Sequence, residues 1–104
     1  MTPMTYNICN AATGQIIFTC QAVSFKDAVN QSLALGVSLN GANLSGQDLS
    51  GVSFVNADAD AAVLTGCNLT GTDFTGASLV AANLANTVTT GTIFTNAVIG
   101  ASSP

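Results

Sequence analysis

The stretch that decides the fold runs from residue 39 to residue 99 and reads LNGANLSGQDLSGVSFVNADADAAVLTGCNLTGTDFTGASLVAANLANTVTTGTIFTNAVI. Every fifth residue of this stretch belongs to one mostly apolar series. The series consists of Leu39, Leu44, Leu49, Phe54, Ala59, Leu64, Leu69, Phe74, Leu79, Leu84, Thr89, Phe94 and Ile99. All but Ala59 and Thr89 are large and apolar. A fixed short period of this kind is typical of stacked repeat units.

A period of five fits neither regular secondary structure. A helix returns to one face every 3.6 residues and a strand every 2, so the chain must turn a corner in each unit. Residues suited to tight turns stand two positions after the apolar residues, at Gly41, Gly46, Gly51, Asn56, Gly66, Gly71, Gly76, Asn86, Gly91 and Asn96. Small residues stand two positions before them, at Ala42, Ala57, Ala62, Cys67, Ala77, Ala82 and Ala97, where they allow a narrow interior. Cys67 is therefore expected to fill core space.

The units GANLS, GCNLT, GTDFT, GASLV and AANLA resemble the A-(D/N)-L-x-x signature of pentapeptide-repeat proteins, over residues 37–101. This resemblance implies an all-β solenoid, a right-handed quadrilateral β-helix with four pentads in each coil. Phe54, Phe74 and Phe94 are spaced by twenty residues and would then stack on one wall. The predicted core ladder is Leu44, Leu49, Phe54, Leu64, Leu69, Phe74, Leu79, Leu84 and Phe94.

Residues 1–36 are predicted to cap the first coil, because an open coil end exposes apolar side chains and backbone groups. The pattern indicates a β-hairpin over residues 5–21, with Gly14 left-handed in its turn. Two residues that face each other across the hairpin would then have residue numbers that add up to 26. The predicted pairs are Tyr6 with Cys20, Ile8 with Phe18 and Asn10 with Ile16. One face would carry Tyr6, Ile8, Ile16, Phe18 and Cys20 towards the core, and Cys9, on the other face, would leave both cysteines as free thiols.

A helix is predicted over residues 24–35, with Ser24 and Asp27 as a capping-box-like start and Gly36 as the stop. Its apolar stripe would be Ala28, Val29, Ser32 and Leu33, laid across the first coil near Leu39 and Leu44. The stretches YNICNAATGQIIF and SFKDAVNQSLALGVSLNGANL resemble the hairpin and helix of phage-encoded pentapeptide-repeat proteins. Ala11 and Ala12 stand where that family carries basic and aromatic loop residues, so a contact made by those residues would be absent or altered.

The other end of the predicted coil has no helix to close it. A short tail over residues 102–104 follows the repeat, and Phe94, Val98 and Ile99 would lie near an open end. Two alternatives remain: the tail folds over this end, or the end meets another subunit or a different protein. A symmetric dimer would close such an interface, and head-to-tail stacking would produce a fibre.

The composition limits the partners of this single-domain chain. Charged residues make up 6 % of it, against about 25 % in ordinary soluble domains. The net charge is −4 and Lys26 is the only base, so we expect no nucleic-acid partner. No apolar run approaches the roughly 18 residues of a membrane span, so we expect no membrane association. The N-terminus does not resemble a signal peptide, which predicts a cytoplasmic protein by default, or a virion component.

Catalytic and metal-binding patterns are missing from the sequence. The chain contains no histidine and no glutamate, no Cys-x-x-Cys pair and no phosphate-binding glycine loop. Asp58 and Asp60 are the only close pair of acids, and a solvated turn explains them. We therefore expect no enzyme, no catalytic residue, no cofactor, no metal and no small-molecule substrate.

The sequence predicts a non-enzymatic structural or protein-binding module that forms an oligomer or a larger assembly, such as a phage particle. The candidate partner contacts are Val80, Val88, Ile93 and Val98. An alternative is a DNA-mimic inhibitor or protector of a type II topoisomerase, although the repeats carry only about one acid per coil, far fewer than the charge every ~1.7 Å of duplex DNA. A third interpretation is a threonine face that binds ice, for which the β-propensity of threonine is a simpler explanation.

Overall fold

The computed structural model describes residues 2–99. The predicted tail at 102–104 and the last two residues of the predicted repeat, 100–101, lie outside the described residues. The elements in chain order are β1 (Met4–Cys9), β2 (Ile16–Ala22), α1 (Phe25–Ala34), β3 (Ser78–Leu79) and β4 (Val98–Ile99). β1 and β2 form an antiparallel sheet, and the short strands β3 and β4 pair in parallel.

The hairpin of β1 and β2 follows the predicted register over most of its length. Tyr6 faces Cys20 and Ile8 faces Phe18, as expected. Ile8 is fully buried, while Tyr6 and Phe18 are half-buried. The ring of Tyr6 also meets Phe25 of α1 edge-on, with 6.4 Å between the ring centroids. The hairpin and the helix therefore pack against each other at the N-terminal end of the molecule.

The register of the hairpin changes near its turn, between Ile8 and Cys9. Ile16 pairs with Cys9, so the predicted pairing of Ile16 with Asn10 is wrong. The predicted burial of Ile16 is wrong as well, since 58 % of this residue is exposed. The physical reason is a β-bulge: Ile8 faces Phe18 and Cys9 faces Ile16, so Ile17 has no partner on β1. Asn10 still donates from its N–H to the carbonyl of Gln15 at 2.8 Å, and it also forms an antiparallel bridge with Ala42 in the first coil. The bulge shifts the pairing by one residue, and such a shift reverses the faces of the side chains.

α1 has a defined cap at each end. The Oγ atom of Ser24 accepts a hydrogen bond from the N–H of Asp27 at 3.0 Å, as the predicted start requires. At the other end Gly36 is left-handed, with φ +72°, and the N–H groups of Gly36 and Val37 donate to carbonyls of the last turn at 3.1 and 2.9 Å. The stripe of α1 that faces the molecule contains Ala28, Val29 and Ser32, all buried, and Leu33, which is half-buried.

Parallel bridges in the repeat join residues that are twenty apart. The pairs are Asn43 with Val63, Asp48 with Asn68, Ser53 with Asp73, Asp58 with Ser78, Val63 with Asn83, Asn68 with Val88, Asp73 with Ile93, and Ser78 with Val98. Because successive bridges are five residues apart and each partner is twenty away, they form four columns. The N–H of Leu44 donates to the carbonyl of Val63, and the N–H of Val63 donates to that of Ala42, both at 2.8 Å. This ladder is that of a β-helical solenoid with four pentads in each coil.

The corners of the coil use left-handed backbone at every fifth residue. The positions with positive φ are Gly41, Gly46, Gly51, Asn56, Ala61, Gly66, Gly71, Gly76, Ala81, Asn86, Gly91 and Asn96. The glycine and asparagine corners follow the prediction. Ala61 and Ala81 have φ of 59° and 61°, a conformation that alanine rarely adopts because its Cβ approaches the next carbonyl oxygen. The stacking of coils therefore imposes the corner even where the residue disfavours it.

Inward side chains of the first two coils and the following pentad form a closed core. Nine residues of the series have no exposed surface: Leu39, Leu44, Leu49, Phe54, Ala59, Leu64, Leu69, Phe74 and Leu79. The predicted aromatic stack is present, with 4.8 Å between the ring centroids of Phe54 and Phe74 and 5.4 Å between those of Phe74 and Phe94. Leu84 and Phe94 pack against this core from the last coil and are half-buried.

Candidate protein-interaction site

The two ends of the solenoid differ in how well they are covered. At the N-terminal end the cap closes the first coil, because the N–H of Ala11 donates to the carbonyl of Gly41 and the N–H of Asn43 donates to that of Cys9, both at 2.8 Å. Leu39 in the first coil is fully buried, whereas Ile99, in the same series at the other end, is 46 % exposed. The last coil therefore presents part of its core to its surroundings.

The backbone edge of the last coil matches this exposed core. In the inner coils the N–H of each inward residue donates to the coil that follows, as Leu69 does to Val88 and Phe74 to Ile93, both at 2.8 Å. Within residues 2–99, the equivalent N–H groups of Thr89 and Phe94 have no hydrogen-bond partner. This end thus combines exposed apolar side chains with an unpaired ladder, which is the template that another β-structure pairs with.

The four predicted contact residues lie on the outer surface of the repeat. Val80, Val88, Ile93 and Val98 are 39, 51, 44 and 57 % exposed. Val88, Ile93 and Val98 each occupy the position before an inward residue, in three consecutive pentads of the last coil. They therefore line three successive sides of that coil and form a belt rather than one flat patch. We call these three residues and Ile99 the C-terminal belt.

The belt replaces polar residues that close turns in the inner coils. In five of the preceding pentads, the asparagine or aspartate before the inward position accepts a hydrogen bond from the N–H two residues later. The donors and acceptors are Ser45 to Asn43, Ser50 to Asp48, Thr70 to Asn68, Thr75 to Asp73, and Ala85 to Asn83. Valine and isoleucine cannot accept such a bond, so the last three pentads exchange a local stabilising contact for exposed apolar surface. This switch is visible in the sequence, but only the bridges show that all three residues fall in one coil.

The charged groups make local contacts, and one of them, Asp73, lies directly next to Ile93 of the belt. Lys26 of α1 donates to the Oγ of Ser50 at 3.0 Å and lies 3.7 Å from the Oδ1 of Asp48. Hydrogen bonds from Ser50 hold the pKa of Asp48 below its usual range, with a smaller contribution from Lys26. Hydrogen bonds from Thr75 lower the pKa of Asp73 in the same way. These carboxylates therefore stabilise individual turns and do not form a continuous acidic surface.

The thiols and the remaining polar core groups have structural surroundings. Cys67 is fully buried, and its Sγ lies 2.8 Å from the carbonyl oxygen of Leu44. Burial raises the pKa of this thiol. Buried Thr72 donates from Oγ1 to the carbonyl of Leu49 at 2.7 Å in the same manner. Cys9, Cys20 and Cys67 are free thiols, and no group of potential metal ligands occurs among residues 2–99.

No helix within the described part of the chain is long and apolar enough to cross a bilayer. The features described so far define a class: a β-helical solenoid built from pentads. Residues 38–76 match the pentapeptide-repeat family in eight copies. Over these residues the chain is similar to pentapeptide-repeat proteins.

One solved structure similar to this chain is alr5209, a pentapeptide repeat protein from Nostoc Pcc 7120 determined at 1.7 Å resolution. The two proteins share 28 % sequence identity over an alignment that covers 68 % of this chain and 74 % of that one, with a TM-score of 0.38. No curated protein matches the chain.

Proposed function

We propose that this protein is a structural, protein-binding module that associates through the end of its last coil. The observation that carries the proposal is the C-terminal belt, four exposed apolar residues beside an unpaired backbone edge. In this proposal residues 1–36 are the cap and residues 37–101 are a right-handed, four-sided coil. The family generally mediates protein interactions, which agrees with such a role.

The partner that these features favour is a second copy of the chain. The cap blocks the N-terminal end through the hydrogen bonds of Cys9 and Ala11, so head-to-tail stacking of uncapped coils is not open to it. Two open C-terminal ends can instead meet about a twofold axis, where each belt buries its counterpart. Such an interface is self-complementary and closes on itself, giving a dimer rather than a fibre.

The biological setting proposed for this module is a phage particle or another large assembly. The support is compositional: charged residues are only 6 % of the chain, and charge is what normally keeps free protein surfaces apart. The cap resemblance to phage-encoded proteins points the same way. Genomic neighbourhood tests this setting directly, because adjacent capsid or tail genes would support it and an isolated metabolic operon would oppose it.

The association itself is tested by size-exclusion chromatography with light scattering, over a series of protein concentrations. We expect a dimer for the natural sequence and a monomer for the double variant Ile93→Asn with Val98→Asn. Asparagine suits this repeat position, as Asn68 and Asn83 show, so the double variant should keep its fold. The matched control is Val63→Asn, the same position in an inner coil, which should stay dimeric. A monomeric natural protein at all concentrations would refute the proposal.

The alternative of a topoisomerase mimic makes a separate prediction. A DNA mimic needs a strongly acidic surface, and the repeats contain only Asp48, Asp58, Asp60 and Asp73. The carboxylate of Asp60 is already hydrogen-bonded within the fold, because its Oδ1 accepts from the N–H of Val80 at 2.9 Å. A supercoiling assay with a type II topoisomerase should therefore show no inhibition and no protection, and a clear effect would favour the alternative.

A further inference from the structure

A cleft of about 500 Å³ lies between the C-terminal half of α1 and the adjacent wall of the coil. Its apolar lining includes Leu33 and Val37 on the side of the helix and Val55 on the side of the wall. Its polar lining includes Asn30 and Asp58. The volume falls within the roughly 300–1,000 Å³ of typical binding pockets, and mixed lining of this kind orients a ligand by its few polar groups.

Asp58 differs from the other asparagine and aspartate residues at the same repeat position. Asn43, Asp48, Asn68, Asp73 and Asn83 all accept a hydrogen bond from the N–H two residues later. The corresponding N–H, that of Asp60, donates instead to the Oδ1 of Asn40 at 2.8 Å. Within residues 2–99 the carboxylate of Asp58 makes no hydrogen bond or ion pair. The carboxylate of Asp58 is therefore a negative charge without a partner in the fold, and it borders the cleft.

The chemistry of the cleft selects a cationic group attached to an apolar stem. Leu33, Val37 and Val55 can pack against the methylene carbons of a long basic side chain while its charged end remains near Asp58. The carboxylate and the amide oxygen of Asn30 are separate acceptors. A guanidinium group, with five N–H donors in a fixed plane, can use both, whereas a single ammonium is a point charge.

A second copy of this chain is a poor source of that cation. Lys26 is the only basic residue in the sequence, and it is already engaged by Ser50 and Asp48. We propose that the cleft binds an arginine side chain presented by a different protein. The net charge of −4 favours the approach of such a partner. This lateral site is distinct from the C-terminal belt, so the module would join two kinds of contact, one to itself and one to a basic partner.

The probe for this site is the blocked peptide acetyl-Leu-Arg-Leu-amide, titrated into the isotope-labelled full chain and followed by amide chemical shifts. The matched control peptide carries citrulline, which has nearly the same shape as arginine and no charge. We expect the arginine peptide to shift the amides of residues 30–37 and 53–58. The citrulline peptide should bind at least about tenfold more weakly, as the loss of a charge-assisted hydrogen bond predicts.

Two protein variants separate the site from general electrostatics. Asp58→Asn should weaken binding of the arginine peptide about tenfold and leave the circular dichroism spectrum unchanged, because this carboxylate has no partner in the fold. Asp73→Asn removes the same charge from the same repeat position on another wall, and it should leave the affinity unchanged. Absence of shifts at the cleft, equal binding of both peptides, or equal effects of the two variants would each overturn the proposal.

Discussion

Replacing Leu64 by alanine tests the ladder on which the whole fold depends. Leu64 has no exposed surface and belongs to the column that also contains Leu44 and Leu84. Leucine-to-alanine changes in cores cost about 2.7–5 kcal/mol, more where the surroundings cannot collapse into the cavity. Here hydrogen bonds between coils fix their spacing, such as that from the N–H of Leu64 to the carbonyl of Asn83 at 2.8 Å, so the cavity cannot collapse. We therefore expect a loss near 4 kcal/mol in the free energy of unfolding.

The matched control is the preceding residue, Val63, whose side chain points to the opposite face of the same wall. Val63→Ala removes a β-branched residue from a half-buried position and should cost no more than about 1 kcal/mol. Urea unfolding followed by circular dichroism measures both variants, and the loss at Leu64 corresponds to a fall in Tm of roughly 15 °C or more. Equal losses for Leu64→Ala and Val63→Ala would show that the inward and outward assignments are wrong.

Three further predictions concern a corner, a thiol and a carboxylate. Ala61→Gly should raise the free energy of unfolding by about 0.5–1 kcal/mol in urea titrations, because the relief of left-handed strain exceeds the extra entropy of the unfolded glycine chain. The control Ala62→Gly, inside the core, should lower the free energy of unfolding. The Cys67 thiol should react with a thiol reagent only after unfolding, because it is buried and its pKa is raised. The pKa of Asp73 is lower in the folded chain than its usual 3.8, so its stabilising contribution is complete above that value and is lost as the pH falls through the folded pKa. Acid titration should show this loss in the natural sequence and a smaller one in Asp73→Asn.

The N-terminal cap shows where prediction from the sequence stops. Local signals were sufficient for the caps of α1, because Ser24 and Gly36 act on backbone groups within a few residues of themselves. The strand register near the turn was predicted incorrectly, because a bulge places Ile16 opposite Cys9 instead of Asn10. The alternation of residues along the strands does not reveal such a bulge, and the shift that it causes exposes Ile16.

The candidate sites also combine features that the sequence reveals with features that only the structure reveals. The exchange of asparagine and aspartate for Val88, Ile93 and Val98 can be found by aligning the pentads. That these residues surround a coil end with no cover among residues 2–99 is a property of the stacking alone. The role of Asp58 was predicted as that of a solvated turn residue, since its sequence position is ordinary. Only the hydrogen bond from the N–H of Asp60 to Asn40 reveals that its carboxylate has no partner in the turn.

The sequence by itself determined the repeat, the inward series and the corner at every fifth residue, because a period of five permits only one face to be buried when the chain bends in each unit. It also determined the spacing of twenty between the stacked rings of Phe54, Phe74 and Phe94. Tertiary structure decided which coil end is covered, which carboxylate has no hydrogen-bond partner among residues 2–99, and which alanines adopt left-handed backbone. Those outcomes depend on hydrogen bonds between coils, and such bonds join residues that no local pattern in the chain brings together.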